Sequence, residues 1–311
     1  MSWVAWRQQR TETLIAGAIL AVLALALVPS GLHMASAYHH DGLASCVGAN
    51  PGAACDEAIH NFTSRFESLG NLVAWATLVP GLIGVLLAAP FVLDLENGTY
   101  RLAWTQSITR RRWIANKLGV ASAAALVAAL GFTVFFTWWR QPLVHLNGRL
   151  DPAAYDSTGT VAAGYVLFAL GLALAVGAIW RRAVPALVVA FAAYLGARIF
   201  VDTWLRQRLV SPLTVLWHRQ EPANLLNAWV LSENPADRFG HPIPPVLTFC
   251  TKAQLSTGHC PALKRAPEYI HAVYIPASRF WELQGIETAM FGGVALALIA
   301  VAAWWTHERV A

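Results

Sequence analysis

The chain has 311 residues, of which 57% are hydrophobic and only 13% are charged, whereas an average soluble domain is about 25% charged. This composition excludes an ordinary soluble domain and places the chain among membrane proteins. The net charge of +5 would suggest nucleic acid as the partner of a soluble chain. Here cytoplasmic loops and anionic membrane lipid account for it, and no nucleic-acid partner is expected.

Six apolar segments are each long enough to cross a bilayer, which takes about 20 helical residues. They lie at residues 13–37, 71–93, 118–138, 161–180, 183–205 and 285–305. The first is longer than the apolar core of a signal peptide, about 7–15 residues, and we therefore interpret it as a retained span. The predicted fold is an all-α polytopic membrane protein, with one transmembrane domain over residues 1–311.

The Lys and Arg residues of the short loops set the predicted orientation. With the N-terminus in the cytoplasm, the inner segments hold ten of them and the two short outer loops hold three. Because positive charge accumulates in cytoplasmic loops, both termini are predicted inside and the long segment 206–281 outside. This outer segment is too rich in apolar and aromatic residues for disorder, and we expect short helices packed on the membrane surface there.

All four cysteines fall in predicted outer loops. The first loop holds Cys46 and Cys55, and the last holds Cys250 and Cys260. An oxidising compartment favours disulfides, and loop membership makes one bridge within each loop the simplest of the three pairings. The alternative is a metal site that joins the last two cysteines to His241 and His259. Because no Cys-x-x-Cys spacing is present, no metal is expected.

Charged residues inside predicted spans are costly and mark candidate functional sites. Arg198 and Asp202 lie four residues apart in the fifth span, so they can meet on one face of a helix, and Glu287 lies at the start of the sixth. Either these charges pair and fix helix packing, with Asp202 as the simplest partner of Arg198, or they line a substrate path. The sequence leaves both interpretations open.

The segment 95–117, between the second and third spans, holds five of the 22 Lys and Arg residues. This exceeds what membrane orientation requires, and the residues follow an ordered pattern. A Gly-Thr pair predicts a turn fixed by Glu96, an amphipathic turn follows, and Thr109 is placed to cap the next helix. The candidate docking residues are Glu96, Gly98, Thr99, Arg101, Trp104, Ile108, Arg110, Arg111 and Arg112. We expect the segment to present a face to a cytoplasmic partner.

The stretch "ENGTYRLAWTQSITRRRWIANK" resembles the Glu-x-Gly-Thr … Ser/Thr-Arg … Lys segment between spans two and three of ABC-2 type exporter permeases. The N-terminal "W-x-x-W-R-Q-Q-R" and the "I-P-A-S-R-F-W-x-L-Q" before the last span resemble the bacterial drug-export branch of that family. The usual proline before the Ser/Thr-Arg pair is Ser107 here, a departure that bears on the form of the turn and not on its placement.

The resemblance implies a permease dimer, most simply a homodimer, in the bacterial cell membrane, with one cytoplasmic ATPase subunit docked on each copy. Residues 96–112 would form the coupling helix, with Trp104 and Ile108 as its apolar anchor, and the N-terminal stretch would lie at the interface. ATP and Mg²⁺ would bind to the partner ATPase, because this chain has no nucleotide-binding motif. The chain itself would carry no cofactor and no catalytic residue. A small or amphipathic substrate would move outward.

A non-transport integral membrane protein, either an assembly factor or a membrane-bound metal or redox protein, is the alternative. Its support comes from the ten histidines, of which His33, His39 and His40 lie at the outer end of the first span. Histidines in a polar interfacial rim explain the same pattern, and no two spans carry facing histidines. A neighbouring ATPase gene would favour the transporter, whereas bound haem or zinc would favour the alternative.

Overall fold

The computed structural model describes residues 2–46, 52–105, 109–218, 222, 225, 227–243 and 269–309. The helices in these ranges are α1 Ser2–His40, α2 Ala53–Ala76, α3 Val79–Asn97, α4 Tyr100–Thr105, α5 Arg110–Trp139, α6 Gln141–Asn147, α7 Pro152–Tyr155, α8 Val161–Trp180, α9 Ala183–Phe200, α10 Arg206–Leu209 and α11 Phe280–Arg309. A π-helical turn, Val201–Leu205, joins α9 to α10, and 3₁₀ turns occur at Leu43–Ser45 and Ala277–Arg279. The strands are β1 Leu213–Trp217, β2 Trp229–Ala236 and β3 Tyr269–Ile275.

Six helical segments of the described chain are long and apolar enough to cross a membrane. They are Gly17–His40, Val79–Asn97, Arg110–Trp139, Val161–Trp180, Ala183–Leu209 and Ala277–Arg309. The predicted all-α polytopic architecture is therefore confirmed. The second segment begins later than the predicted residue 71, because the helix breaks at Thr77 and Leu78. Pro80 follows in the first turn of α3, where the missing N–H of proline breaks no helical hydrogen bond.

The helix α8 lies at the centre of the bundle and contacts α3, α5, α9 and α11. Two glycines permit its close approach to α3. A Cβ on Gly84 would lie 2.4 Å from the Val166 carbonyl oxygen, and a Cβ on Gly177 would lie 2.3 Å from a methyl carbon of Val92. Small residues at such contacts bring helix backbones together, which is how helices gain packing energy in a membrane.

The outer helices of the bundle present apolar side chains on their exposed faces. Examples are Val127, Leu130, Val188 and Leu296, each at least 62% exposed. In water such a surface would be an aggregation hazard, whereas lipid chains cover it without cost. The exposed apolar faces and the lengths of the six spans thus both indicate that the bundle lies in a membrane.

The segment 206–281 contains a three-stranded antiparallel sheet with strand order β1-β3-β2. The strand β3 pairs with β1 through Tyr274 and Leu213, and with β2 through Tyr274 and Val230, where β2 carries an irregularity in register. The prediction of short helices is wrong for these three strands. Their sequences, "LTVLW", "WVLSENPA" and "YIHAVYI", are rich in β-branched and aromatic residues, which favour a pleated, half-buried surface.

Candidate functional site

The turn between α3 and α4 lies at one end of the bundle, which we call the Glu96 end. The helix α3 ends at Asn97, and Gly98 follows with a φ of 70°, an angle that a side chain would strain. Asp94 holds the turn on both sides. Its Oδ1 accepts a hydrogen bond from Thr99 Oγ1 at 2.8 Å, and its Oδ2 lies 2.5 Å from Nζ of Lys117 on α5. The structure thus gives Gly98 the backbone conformation expected of it.

Glu96 does not fix this turn, as the sequence had suggested. Its Oε2 accepts a hydrogen bond from the backbone N–H of Ala183, the first residue of α9, at 2.9 Å. Side chains two residues apart point to different sides of a helix, so Asp94 faces Thr99 while Glu96 faces α9. The predicted role of Glu96 at the turn is therefore wrong, and Asp94 has that role instead.

Trp104, a predicted docking anchor, is half-buried within its own chain. Its ring centroid lies 4.7 Å from that of Tyr100 and 6.2 Å from that of Trp113, and the guanidinium carbon of Arg110 lies 4.6 Å above it. The indole therefore supports the fold of the turn, and only part of it is open to a partner. Ile108, the second predicted anchor, lies outside the described residues.

Four exposed arginines surround this turn and form what we call the basic surface. They are Arg101, Arg110, Arg111 and Arg112. The last three open α5, behind Thr109, which occupies the N-cap position with an extended backbone. Thr109 makes no side-chain capping hydrogen bond, so the capping predicted for its hydroxyl is absent. Arginines at a helix start meet the unfavourable end of the helix dipole, which indicates that they serve something other than the stability of α5.

At the opposite end of the bundle, five charged side chains meet between α8, α9 and α11. This charge cluster consists of Asp156, Arg198, Asp202, Arg206 and Glu287. Arg206 is 1% exposed and Glu287 is fully buried, while the side chain of Asp202 is 44% exposed. We call this end of the bundle the Asp156 end.

The pairing in the charge cluster differs from the sequence-based prediction. Arg198 Nη2 lies 2.5 Å from Asp156 Oδ2, and its Nη1 lies 3.4 Å from Glu287 Oε1. Asp202 pairs with Arg206 instead, so the predicted Arg198–Asp202 pair is wrong. Asp202 lies four residues after Arg198 and four residues before Arg206, and it pairs with Arg206. Spacing alone therefore could not decide its partner, and Arg198 instead contacts Asp156 and Glu287 from other segments of the chain.

Arg206 is the most connected member of the cluster. Its Nε donates to Glu287 Oε2 at 3.0 Å and its Nη2 donates to Asp156 Oδ1 at 2.6 Å. Beneath it lies Tyr155, whose ring centroid is 4.4 Å from the guanidinium carbon. Burial, reinforced by the charge of Glu287, raises the pKa of the Tyr155 hydroxyl, which therefore stays neutral. Arg206 thus ties the α7–α8 connection to α11.

Two neutral side chains complete this network. The Tyr165 hydroxyl of α8 donates to Glu287 Oε1 at 2.6 Å, and the guanidinium carbon of Arg198 lies 3.8 Å from its ring centroid. Gln284 Oε1 accepts from the backbone N–H groups of Thr160 and Val161, each at 2.9 Å. A side chain of α11 therefore satisfies the free N–H groups at the start of α8. These contacts fix α8, α9 and α11 against one another.

A family model described as ABC-2 membrane transporter related matches residues 17–206, more than half of the chain. The chain belongs to the ABC-2 membrane transporter related family. It is thus a multi-pass membrane protein of the ABC permease class, a class that associates with ABC ATPases. Comparisons with curated proteins and with solved structures found no match.

The matched region of this ABC-2 permease contains the first four spans, nearly all of the fifth, the α3–α4 turn and the basic surface. It also includes four of the five members of the charge cluster, and Glu287 lies beyond it on α11. The sheet and the last span are likewise outside the match. The basic surface and most of the charge cluster therefore lie within the region that the family model matches.

Within the permease, the sequence had pointed to Arg198 and Glu287 because a charge inside an apolar span is conspicuous. It had not pointed to Asp156 or Arg206, which fall in predicted loops, nor to Tyr165. In this conformation the buried members of the cluster are enclosed by helices. This arrangement supports a role in packing, and the alternative role in a substrate path stays a prediction.

One of the two predicted disulfides is present in the permease. Cys46 and Cys55 are bonded, with their Cα atoms 5.4 Å apart. Cys250 and Cys260 lie outside the described residues, so their pairing stays a prediction. His241, part of the alternative metal site, lies 3.3 Å from Asp237, and the described residues contain no cluster of three or more metal-binding side chains.

Proposed function

We propose that this chain is the permease of an ABC exporter, that it works as a homodimer, and that a cytoplasmic ATPase docks on its basic surface. The observation that carries the proposal is the position of the four arginines. They are exposed beside a turn that Gly98 and Asp94 fix in one conformation. A charged, exposed segment between two spans suits a docking surface, and membership of a family that associates with ABC ATPases supports it.

The disulfide supports the orientation that docking requires. Cys46 follows α1, whose C-terminal residues approach α6, with the rings of Tyr38 and His145 5.9 Å apart, so the bridge lies at the Asp156 end. Disulfides persist in oxidising compartments outside the cytoplasm. The Asp156 end therefore faces outward in this proposal, and the Glu96 end faces the ATPase.

In this mechanism ATP and Mg²⁺ bind to the partner ATPase. The permease binds the substrate and changes conformation. Nucleotide binding draws the two ATPase subunits together, and the two permease copies rearrange to release cargo outward. A small or amphipathic substrate fits the apolar composition of the spans. The bacterial drug-export branch, which the sequence resembles, is the branch in which we place the chain.

Charge reversal on the basic surface tests the proposal. Arg111→Glu keeps α5 intact, because its side chain is exposed, but it opposes an acidic docking site. Arg238→Glu is the matched control, since Arg238 is also exposed and lies on the loop that follows β2. We expect Arg111→Glu to reduce the amount of co-purifying ATPase at least tenfold, which corresponds to about 1.4 kcal/mol of binding free energy. Equal recovery of ATPase with both variants would contradict docking on the basic surface.

A further inference from the structure

The helix α9 connects the two charged ends of the permease. It begins at Ala183, beside Glu96, and it carries Arg198 near its other end. At 1.5 Å per residue, these two residues lie about 23 Å apart along the helix. The π-helical turn then leads directly to Arg206. The helix α9 and the π-helical turn therefore form a continuous physical link between Glu96 and the charge cluster.

The start of α9 has few polar partners of its own. Arg182 occupies the N-cap position with an extended backbone and makes no side-chain capping bond. Pro185 has no N–H to satisfy, and the N–H of Ala186 already donates to the Arg182 carbonyl. The first free N–H, that of Ala183, donates to Glu96. A carboxylate is favoured here by the positive end of the helix dipole, so Glu96 caps α9 from a different helix.

The α3–α4 turn is thereby joined to two other helices by neighbouring carboxylates. Asp94 pairs with Lys117 of α5, which is 3% exposed, and Glu96 holds the start of α9. Glu96 itself is exposed, so its bond is accessible to change when a partner moves the turn. The two contacts differ in exposure. The Lys117 side chain of the ion pair to α5 is buried, whereas the Glu96 that bonds to the start of α9 is exposed.

We propose that Glu96 is a positioning residue whose bond to Ala183 transmits displacement of the α3–α4 turn through α9 to the charge cluster. The proposal rests on the proposed function, since a docked ATPase supplies the displacement. Glu96 takes no part in binding the ATPase here, because its carboxylate is directed at α9. The cluster then responds as one body, because Arg198 and Arg206 share the carboxylates of Asp156 and Glu287.

The test separates a mechanical role from a merely stabilising one. Glu96→Ala removes the cap, and Arg182→Ser supplies a local one, since serine at an N-cap position accepts a bond from the N–H two residues on. The complex is purified with its ATPase, and hydrogen exchange of residues 198–212 is compared with and without Mg²⁺ and adenylyl imidodiphosphate. Arg182→Ser alone is the control, and melting temperature is measured for every variant.

In the wild-type complex we expect the nucleotide analogue to change exchange in residues 198–212 by about twofold or more. Glu96→Ala should retain the ATPase but lose this response. The double variant should recover the melting temperature without recovering the response, because a local cap does not reach the α3–α4 turn. Glu96→Gln, which keeps an acceptor oxygen, should restore part of the response.

Three results would overturn the proposal. Recovery of the response in the double variant would make Glu96 a stabilising cap only, and an unchanged response in Glu96→Ala would leave it with no part in transmission. Loss of the ATPase in Glu96→Ala would place Glu96 in the docking surface, which leaves the proposed function intact. By contrast, a wild-type permease that retains no ATPase would contradict the proposed function itself.

Discussion

The buried carboxylate of Glu287 shows how single residues of the charge cluster affect the stability of the fold. Its carboxylate is fully buried and accepts hydrogen bonds from Arg198, Arg206 and Tyr165. Charges this deep are stable only when several donors replace the lost water. The network therefore adds less to absolute stability than its number of bonds suggests. Its main effect is to make the loss of a buried member expensive and thus to specify one arrangement of three helices.

We expect Glu287→Gln to destabilise the permease far more than Asp202→Asn. The first change leaves Arg206 short of a buried partner and should cost about 3 kcal/mol or more. The second removes a carboxylate whose side chain is 44% exposed, and partly solvated pairs contribute about 1 kcal/mol or less. Thermal unfolding in detergent compares these two isosteric changes. Equal melting temperatures would mean that the cluster is not sealed from water.

The corrected pairing also changes the expected outcome of a double-mutant cycle. Arg198 pairs with Asp156 and Glu287, while Asp202 pairs with Arg206, so the two residues are coupled only through Arg206, which shares both carboxylates with Arg198. We expect a coupling energy of about 0.5–3 kcal/mol, and we expect the double variant Arg198→Leu/Asp202→Ala to be less stable than Asp202→Ala alone, because Arg198 is the more deeply buried of the two residues. A double variant that is more stable than Asp202→Ala alone would restore the direct pair that the sequence had suggested.

Only some members of the charge cluster could be predicted from the sequence. A charge inside an apolar run is visible without a structure, and Arg198 and Glu287 were found in that way. Asp156 and Arg206 have polar neighbours in the chain, so nothing local distinguishes them from loop residues. Their burial depends on how three helices converge, and hydrophobic periodicity along one segment carries no information about that convergence.

At the scale of elements, apolar length was a sufficient signal for all six spans, because crossing a bilayer demands it. Their ends were less certain. The break at Thr77 lies inside the predicted span 71–93, so apolar length alone does not separate α2 from α3. The sheet was missed because short runs rich in Val, Tyr and Trp fit a strand and a buried helix equally well. Their pairing joins residues about 60 apart, as in Leu213 with Tyr274.

The next prediction concerns the backbone conformation of the α3–α4 turn. Gly98→Val should strain the left-handed backbone at φ 70° by about 1–2 kcal/mol, whereas Gly98→Asn should be tolerated better because asparagine adopts that region more readily. Gly119→Ala is the control, since a Cβ there meets open space. The amount of ATPase that co-purifies with each variant reports whether the turn keeps the conformation needed for docking.

We expect Gly98→Val to reduce ATPase recovery, and we expect Gly98→Asn and Gly119→Ala to preserve most of it. The reason is geometric, because the turn sets where α4 and the start of α5 present their arginines. Normal recovery with valine at position 98 would show that docking does not depend on the conformation of this turn.

At the scale of the whole molecule, the permease has two specialised ends joined by apolar helices. The Glu96 end carries the basic surface beside the α3–α4 turn, and the Asp156 end carries the charge cluster and the Cys46–Cys55 bridge. From the sequence, Lys and Arg counts predicted only that the Glu96 end carries the excess of positive charge. They could not show that α9 connects the ends through Glu96, because that contact joins residues 87 apart in the chain.

Site-specific photocross-linking tests the central claim, that the ATPase docks on the basic surface at the Glu96 end. A benzoyl-phenylalanine residue is introduced at Arg111, or at Phe239, which is 68% exposed on the loop after β2. Intact cells are irradiated, and the cross-linked partner is identified by mass spectrometry. We predict a cross-link from position 111 to an ATPase with nucleotide-binding motifs, and none from position 239. An ATPase cross-link at position 239, or none at position 111, would contradict the account.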